Sequence, residues 1–129
     1  MPRPSSPVLT QREAQIMAVL WELGEATAEQ IRTRLPGKSH DSSVRTLLRI
    51  LKTKGYLRIR PKSRPTLYRP AVGKSKAQGQ AAKSLLSRFF DGSAEALVLR
   101  LLEENELTAE QLDALRESVS EQRSKGASP

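Results

Sequence analysis

The sequence predicts a mainly α chain with one small β-hairpin, made of a winged helix-turn-helix domain followed by a helical dimerisation domain, and three observations carry that prediction. First, the stretch from Asp41 to Gly55, DSSVRTLLRILKTKG, places Val44, Leu47, Leu48 and Leu51 at i, i+3, i+4 and i+7, the spacing of one helix face. Second, the pattern changes right after Gly55: two short extended runs flank the turn Pro61-Lys62-Ser63-Arg64-Pro65. Third, charge is partitioned along the chain. Residues 1–72 hold 14 Lys/Arg against 5 Asp/Glu, a net +9, while residues 73–129 hold 8 against 9, a net −1. A basic front joined to a neutral back predicts a nucleic-acid-binding module attached to a part with a different task.

The central helix explains the charge. Opposite its apolar stripe lie Ser42, Arg45, Thr46, Arg49 and Lys52, short hydroxyls and cations with no acid after Asp41. Asp41 reads as the N-cap and Gly55 as the C′ residue, which gives about four turns and roughly 21 Å at ~1.5 Å per residue. A rod of that size fits a DNA major groove. A solvated basic face on an ordinary amphipathic helix is the competing reading of the same residues.

The neighbouring segments favour the groove. Thr10-Gln11-Arg12-Glu13 is a capping box that opens a first helix, whose Ile16, Met17, Leu20, Trp21 and Leu23 face a core and which Gly24 ends. Glu25-Ala26-Thr27 is a short connection with room for a strand residue or two. Thr27-Ala28-Glu29-Gln30 is a second capping box, opening a brief helix with Ala28, Ile31 and Leu35 inward, and Pro36-Gly37 closes it. Lys38-Ser39-His40 then leads into the basic helix. His40 reads as a polar residue ahead of that helix, with a phosphate contact as its functional alternative. Two helices joined by a short turn, the second one basic, form a helix-turn-helix. Behind it, Tyr56, Leu57 and Ile59 alternate with Arg58 and Arg60, and Thr66 to Pro70 returns as a second strand. Such a hairpin is a wing, and Lys62 and Arg64 at its tip can reach a phosphate or an adjoining minor groove. The DNA-binding set predicted from these patterns is Ser42, Arg45, Thr46, Arg49, Lys52, Lys62 and Arg64.

From Gly73 onward three helices are predicted: Lys74 to Phe90, Ser93 to Glu104, and one opened by the capping signature Thr108-Ala109-Glu110-Gln111. About 50 residues bury too little apolar surface to offset their ordering entropy. A second copy supplies the missing burial, so Leu85, Phe89, Leu97, Leu101, Leu112, Leu115 and Val119 are the predicted homodimer contacts. Breaks at Asp91-Gly92 and before Thr108 argue against one continuous coiled coil. The predicted organisation is a disordered arm at 1–7, a winged-helix domain at 8–72, a helical dimerisation domain at 73–123 and a disordered tail at 124–129.

Composition excludes several classes. The chain has no cysteine and one histidine, which rules out disulfides and thiolate metal sites and leaves nucleophilic catalysis without an activated pair. Glu103, Glu104 and Glu106 read as solvated surface rather than an acid/base site. No Gly-rich phosphate loop follows a strand. Neither an enzyme nor a cofactor is expected. No apolar run approaches a membrane span and the first residues lack the core of a signal peptide, so the expectation is a cytoplasmic protein. A sequence-blind architectural or RNA-binding protein, and an adaptor using the winged helix for protein contacts, remain as rival classes.

Four separate pieces, EAQIMAVLWELGEATAEQI, SVRTLLRILKTKGYL, LYRP and FFDGSAEALVLRLLEENELTAEQLDALRE, resemble the penicillinase-repressor family of bacterial transcription regulators in order and spacing, over about residues 9 to 120. The resemblance implies a winged-helix domain, a helical dimerisation domain, and repression through a palindromic operator on double-stranded DNA. It further implies β-lactam-responsive or related stress genes and the protein's own operon as targets, with a membrane sensor or protease controlling induction. The family's DNA-reading positions fall on Ser42, Ser43, Arg45 and Thr46. In the penicillin-responsive branch a sensor-triggered protease cuts an Asn-Phe pair in the helix matching Leu97 to Glu104. The corresponding pair here is Arg100-Leu101, which implies either loss of that cleavage or a protease of different preference. The copper-responsive branch carries a cysteine motif that this chain lacks.

Overall fold

Thr-x-x-Glu/Gln boxes start three of the helices. At Thr10 the hydroxyl accepts from Glu13 N (3.2 Å) and the Glu13 carboxylate accepts from Thr10 N (2.8 Å). Thr27 with Gln30 and Thr108 with Gln111 repeat the reciprocal pattern. The computed structural model describes residues 8–37 and 40–126, the side chains of 124–126 excepted. In chain order the elements are α1 (Gln11–Leu23), α2 (Ala28–Arg34), α3 (Asp41–Lys54), β1 (Leu57–Ile59), β2 (Tyr68–Pro70), α4 (Lys74–Phe89), α5 (Ala94–Glu103) and α6 (Ala109–Gly126). The predicted class, mainly helical with one hairpin, is the observed one.

Internal contacts divide the chain into two units between Ser84 and Leu85, inside α4. The first unit holds the core. Ile16, Met17 and Leu20 from α1, Ile31 from α2, and Val44, Leu48 and Leu51 from α3 are all at most 1% exposed. Each such aliphatic side chain contributes about 1.5–3 kcal/mol on burial. Tyr56 and Leu57 extend the core into the hairpin, and Ala77 adds to it from α4. Trp21 packs on the core edge and donates from Nε1 to the Val72 carbonyl at 2.9 Å.

Helix ends follow local chemistry. Gly24 and Gly55 carry φ of 85° and 86°, and the Gly55 N–H returns to Leu51 O and Lys52 O, closing α3 as expected. Leu35 turns extended because Pro36 disfavours the helical region before it, so α2 ends at Arg34. Asp41 differs from expectation. His40 occupies the N-cap position without a side-chain cap, and Asp41 is the first helical residue, its carboxylate engaged by Arg45. The strands are shorter than the alternation suggests, three residues each, in antiparallel register Leu57↔Pro70, Arg58↔Arg69 and Ile59↔Tyr68. Ala26 adds a single bridge to Tyr68 on the other edge of β2, at 2.8 and 3.0 Å, within the connection where a strand residue was expected.

In the second unit α4 ends at Asp91-Gly92, Ser93 caps α5 by accepting from Ala96 N at 3.0 Å, and Asn105 (φ 60°) turns the chain toward α6. Among the described residues from Leu85 onward no side chain is fully buried. Ala81 of α4 is exposed and lines an apolar cavity of about 170 Å³ with Trp21, Tyr56 and Ala77 of the first unit. α6 runs to Gly126, past the expected end at 123. The expected disordered arm, the turn residues Lys38 and Ser39, and residues 127–129 lie outside the described residues.

One buried charge locks the first unit. Glu13, 2% exposed, accepts from Lys54 Nζ at 2.7 Å, joining the start of α1 to the last turn of α3. Burial raises the Glu13 pKa, but the hydrogen bonds from Lys54 and the Thr10 backbone and the Lys54 charge outweigh it, so the carboxyl lies below its ordinary 4.5. Its contribution is therefore present above pH 4.5 and is lost as pH falls through the lowered value. Glu13→Gln keeps a capping-box residue and removes the ion pair. In urea melts at neutral pH it is expected to cost about 1.5–3 kcal/mol, and the gap from the parent protein should narrow in acid; a gap independent of pH would exclude the ion pair as its source.

Candidate nucleic-acid interface

Burial of Val44, Leu48 and Leu51 turns the rest of α3 outward. Ser42, Ser43, Arg45, Thr46, Arg49 and Lys52 are all exposed, so the predicted residues of this helix share one solvent-facing side. A shallow open depression runs along Ser42, Ser43, Thr46 and Leu47. The side chains are not equally available. Thr46 Oγ1 donates to Ser42 O at 2.9 Å, which occupies its proton and leaves its oxygen as an acceptor. Arg45 Nε donates to Asp41 Oδ2 at 3.0 Å. Arg49 and Lys52 make no ion pair with any described residue.

α2 braces this helix. Its half-buried Arg32 pairs with Glu29, while Arg34 reaches back to Glu22 of α1 at 2.8 Å. The Glu29 carboxyl lies below its ordinary value chiefly through the hydrogen bond from Arg32, with Asp41 and Arg45 close enough to contribute. The four charges therefore meet where α2 passes the start of α3.

The wing is built from its own turn. Pro61 sets one dihedral and Lys62 takes φ 61°, the left-handed conformation a tight turn needs at its second corner. Ser63 Oγ donates to Arg60 O at 3.0 Å and accepts from Leu67 N at 2.9 Å, clamping the tip. The Arg64-Pro65 peptide is cis. Arg60 pairs with Glu25 at 3.2 Å and ties the turn end of β1 to the connection before α2. Lys62 and Arg64 are exposed and make no ion pair with any described residue.

Two cations were missed by the sequence reading. Arg58 and Arg69 are directly opposite in the hairpin register, so their side chains share one face, and neither pairs with a described acid. Facing like charges destabilise a hairpin unless an anion lies between them. The signal was present in the alternation of residues 56–60, but the pairing across β2 was not.

A helix-turn-helix with an outward cationic second helix, flanked by a hairpin with a cationic tip, defines a winged-helix DNA-binding protein. A model of the penicillinase repressor family matches residues 9–121. The chain belongs to that family of transcriptional repressors. The penicillinase repressor of Bacillus licheniformis is 26% identical over 121 residues, which cover 92% of this chain and 94% of that protein. Among the described residues no helix is long and apolar enough to cross a membrane, and no group of three or more His, Asp or Glu side chains could hold a metal ion.

The wing cations invite a direct test. For a wing that meets one phosphate through Lys62, Lys62→Ala should weaken binding to every duplex alike and lower the slope of log affinity against log salt by about 1. Fluorescence anisotropy across a salt series measures both quantities.

Proposed function

We propose that this protein is a dimeric, sequence-specific transcriptional repressor that works in the cytoplasm and binds a palindromic operator. The genes under it are β-lactam-responsive or related stress genes and its own operon. The observation that carries the reading is the division of α3 into a buried apolar stripe and an exposed face of hydroxyls and cations beside a cationic wing. α3 enters a major groove, where Arg45 and Arg49 meet guanine edges or phosphates, Ser42, Ser43 and Thr46 make short-range contacts, and Lys52, Lys62 and Arg64 hold the backbone.

Dimerisation is supported by what the second unit leaves uncovered. Leu85, Phe89, Leu115 and Val119 are 41–69% exposed, and Leu97, Leu101 and Leu112 are only half-buried. The capped helices α5 and α6 and the end of α4 from Leu85 onward have no fully buried side chain among the described residues and need a partner surface, and a second copy offers the same residues in a twofold arrangement. Twofold symmetry then places two α3 helices on half-sites an integral number of turns apart. Release from DNA is controlled by a membrane sensor or protease. Arg100 and Leu101 are the candidate region for cleavage; they lie inside α5, with Arg100 paired to Glu103 and Glu104, so a protease needs that helix to open first.

Competition between a selected operator and scrambled duplex at fixed salt tests the reading. Arg45→Ala should cost about 1–3 kcal/mol on the operator and blur its sequence preference. Equal affinity of the parent protein for both duplexes would make it a sequence-blind DNA binder instead. Phe89→Glu should raise the dimer dissociation constant about thirtyfold, the equivalent of a ~2 kcal/mol interface anchor. Sedimentation equilibrium reads that shift, and a parent protein that is monomeric at micromolar concentration would remove the dimer from the proposal.

A further inference from the structure

Asp41 is out of place on a surface meant for phosphates. It is exposed at the first turn of α3, the only acid of that helix, and it does not cap the helix. Its carboxylate has one described hydrogen-bond partner, Arg45, whose Nε donates to Oδ2 at 3.0 Å across one helical turn, with Arg32 of α2 close enough to act on it through charge. A guanidinium can meet the O6/N7 edge of guanine end-on through its two terminal nitrogens or side-on through Nε and one of them. With Nε engaged, only the end-on edge of Arg45 is left, and no described residue uses it. Arg49 and Lys52, one and two turns further along, have no such partner.

We propose that Asp41 is a positioning residue for sequence recognition: it holds the Arg45 guanidinium so that its terminal nitrogens meet a guanine end-on, and its own charge opposes duplex at which Arg45 finds none. The proposal rests on α3 being the helix that enters the groove. Two effects of opposite sign follow from the same carboxylate. It lowers affinity for any duplex, because it stands among phosphates, and it raises the contrast between the right base pair and the wrong ones, because a flexible side chain becomes an oriented fork. The neighbouring Glu29–Arg32 pair on α2 is already satisfied, so Arg45 has little incentive to leave Asp41 for Glu29.

The test compares the parent protein with Asp41→Ala, Asp41→Asn, Arg45→Ala and the double variant Asp41→Ala/Arg45→Ala. A duplex selected by the parent protein from a random pool is substituted one base pair at a time, and competition binding is measured at fixed salt. Asp41→Ala is expected to bind random duplex at least as tightly as the parent. It should lose about tenfold of the preference at the one position per half-site that Arg45→Ala relaxes. Asp41→Asn, which keeps an oxygen acceptor, should retain part of that preference, and in the Arg45→Ala background removal of Asp41 should change nothing at that position. Thermal melts by circular dichroism confirm that each variant is folded. If Arg45→Ala relaxes a position whose preference Asp41→Ala leaves within about twofold, the positioning role is overturned while the groove reading stands. If Arg45→Ala relaxes no position, both are overturned.

Discussion

The interface depends on one seam of apolar contact. Val44, Leu48 and Leu51 repeat at the spacing of a single helix face, and burying all three leaves α3 no freedom to rotate about its axis. The outward direction of Ser42, Arg45, Thr46, Arg49 and Lys52 follows from that constraint and not from any attraction among them. The end of the helix is pinned as well. Lys54 binds the buried Glu13 carboxylate, Gly55 turns left-handed, and Tyr56 and Leu57 are buried at once, so the hairpin starts from a fixed point with no slack. A wing positioned this way keeps its register to α3, which any joint contact with one duplex requires.

The cations of α2, α3 and the hairpin divide into two groups with different physics. Lys54, Arg32, Arg34, Arg60 and Arg45 are paired with acids and define geometry: they join α1 to α3, brace α2, tie the turn end of β1 to Glu25 and hold Arg45 against the start of its own helix. Arg49, Lys52, Arg58, Lys62, Arg64 and Arg69 have no described acid partner, and their field is what a polyanion meets first. Such unpaired charges attract any duplex and are screened by salt.

The second unit shows that good helices do not make a stable body by themselves. Ser93 and Thr108 satisfy backbone donors at the starts of α5 and α6, and Asp91-Gly92 and Asn105 give the turns their left-handed residues. Every local requirement is met. Yet Phe89, Leu99 and Leu115 remain more than half exposed, because three short helices enclose too small a volume.

Helices, their starts and stops, and the buried stripe of α3 were legible in the sequence, because they rest on interactions within a few residues: capping boxes at Thr10, Thr27 and Thr108, Gly24 and Gly55 beyond helix ends, and a 3.6-residue period. The outward set on α3 was legible for the same reason, as the complement of that stripe. Where two short-range signals competed, the reading failed: Asp41 looked like a cap, but a cation four residues on takes its carboxylate, and His40 holds the cap position instead. Contacts between distant residues left no periodic trace. That Glu13 meets Lys54 across 41 positions, that Trp21 finds the Val72 carbonyl, that Ala26 joins β2, and that Arg58 faces Arg69 were all decided by the tertiary structure. A sequence displays the preferences of each residue for its near neighbours, whereas the choice among many equally suitable distant partners is made only when packing brings one of them within reach.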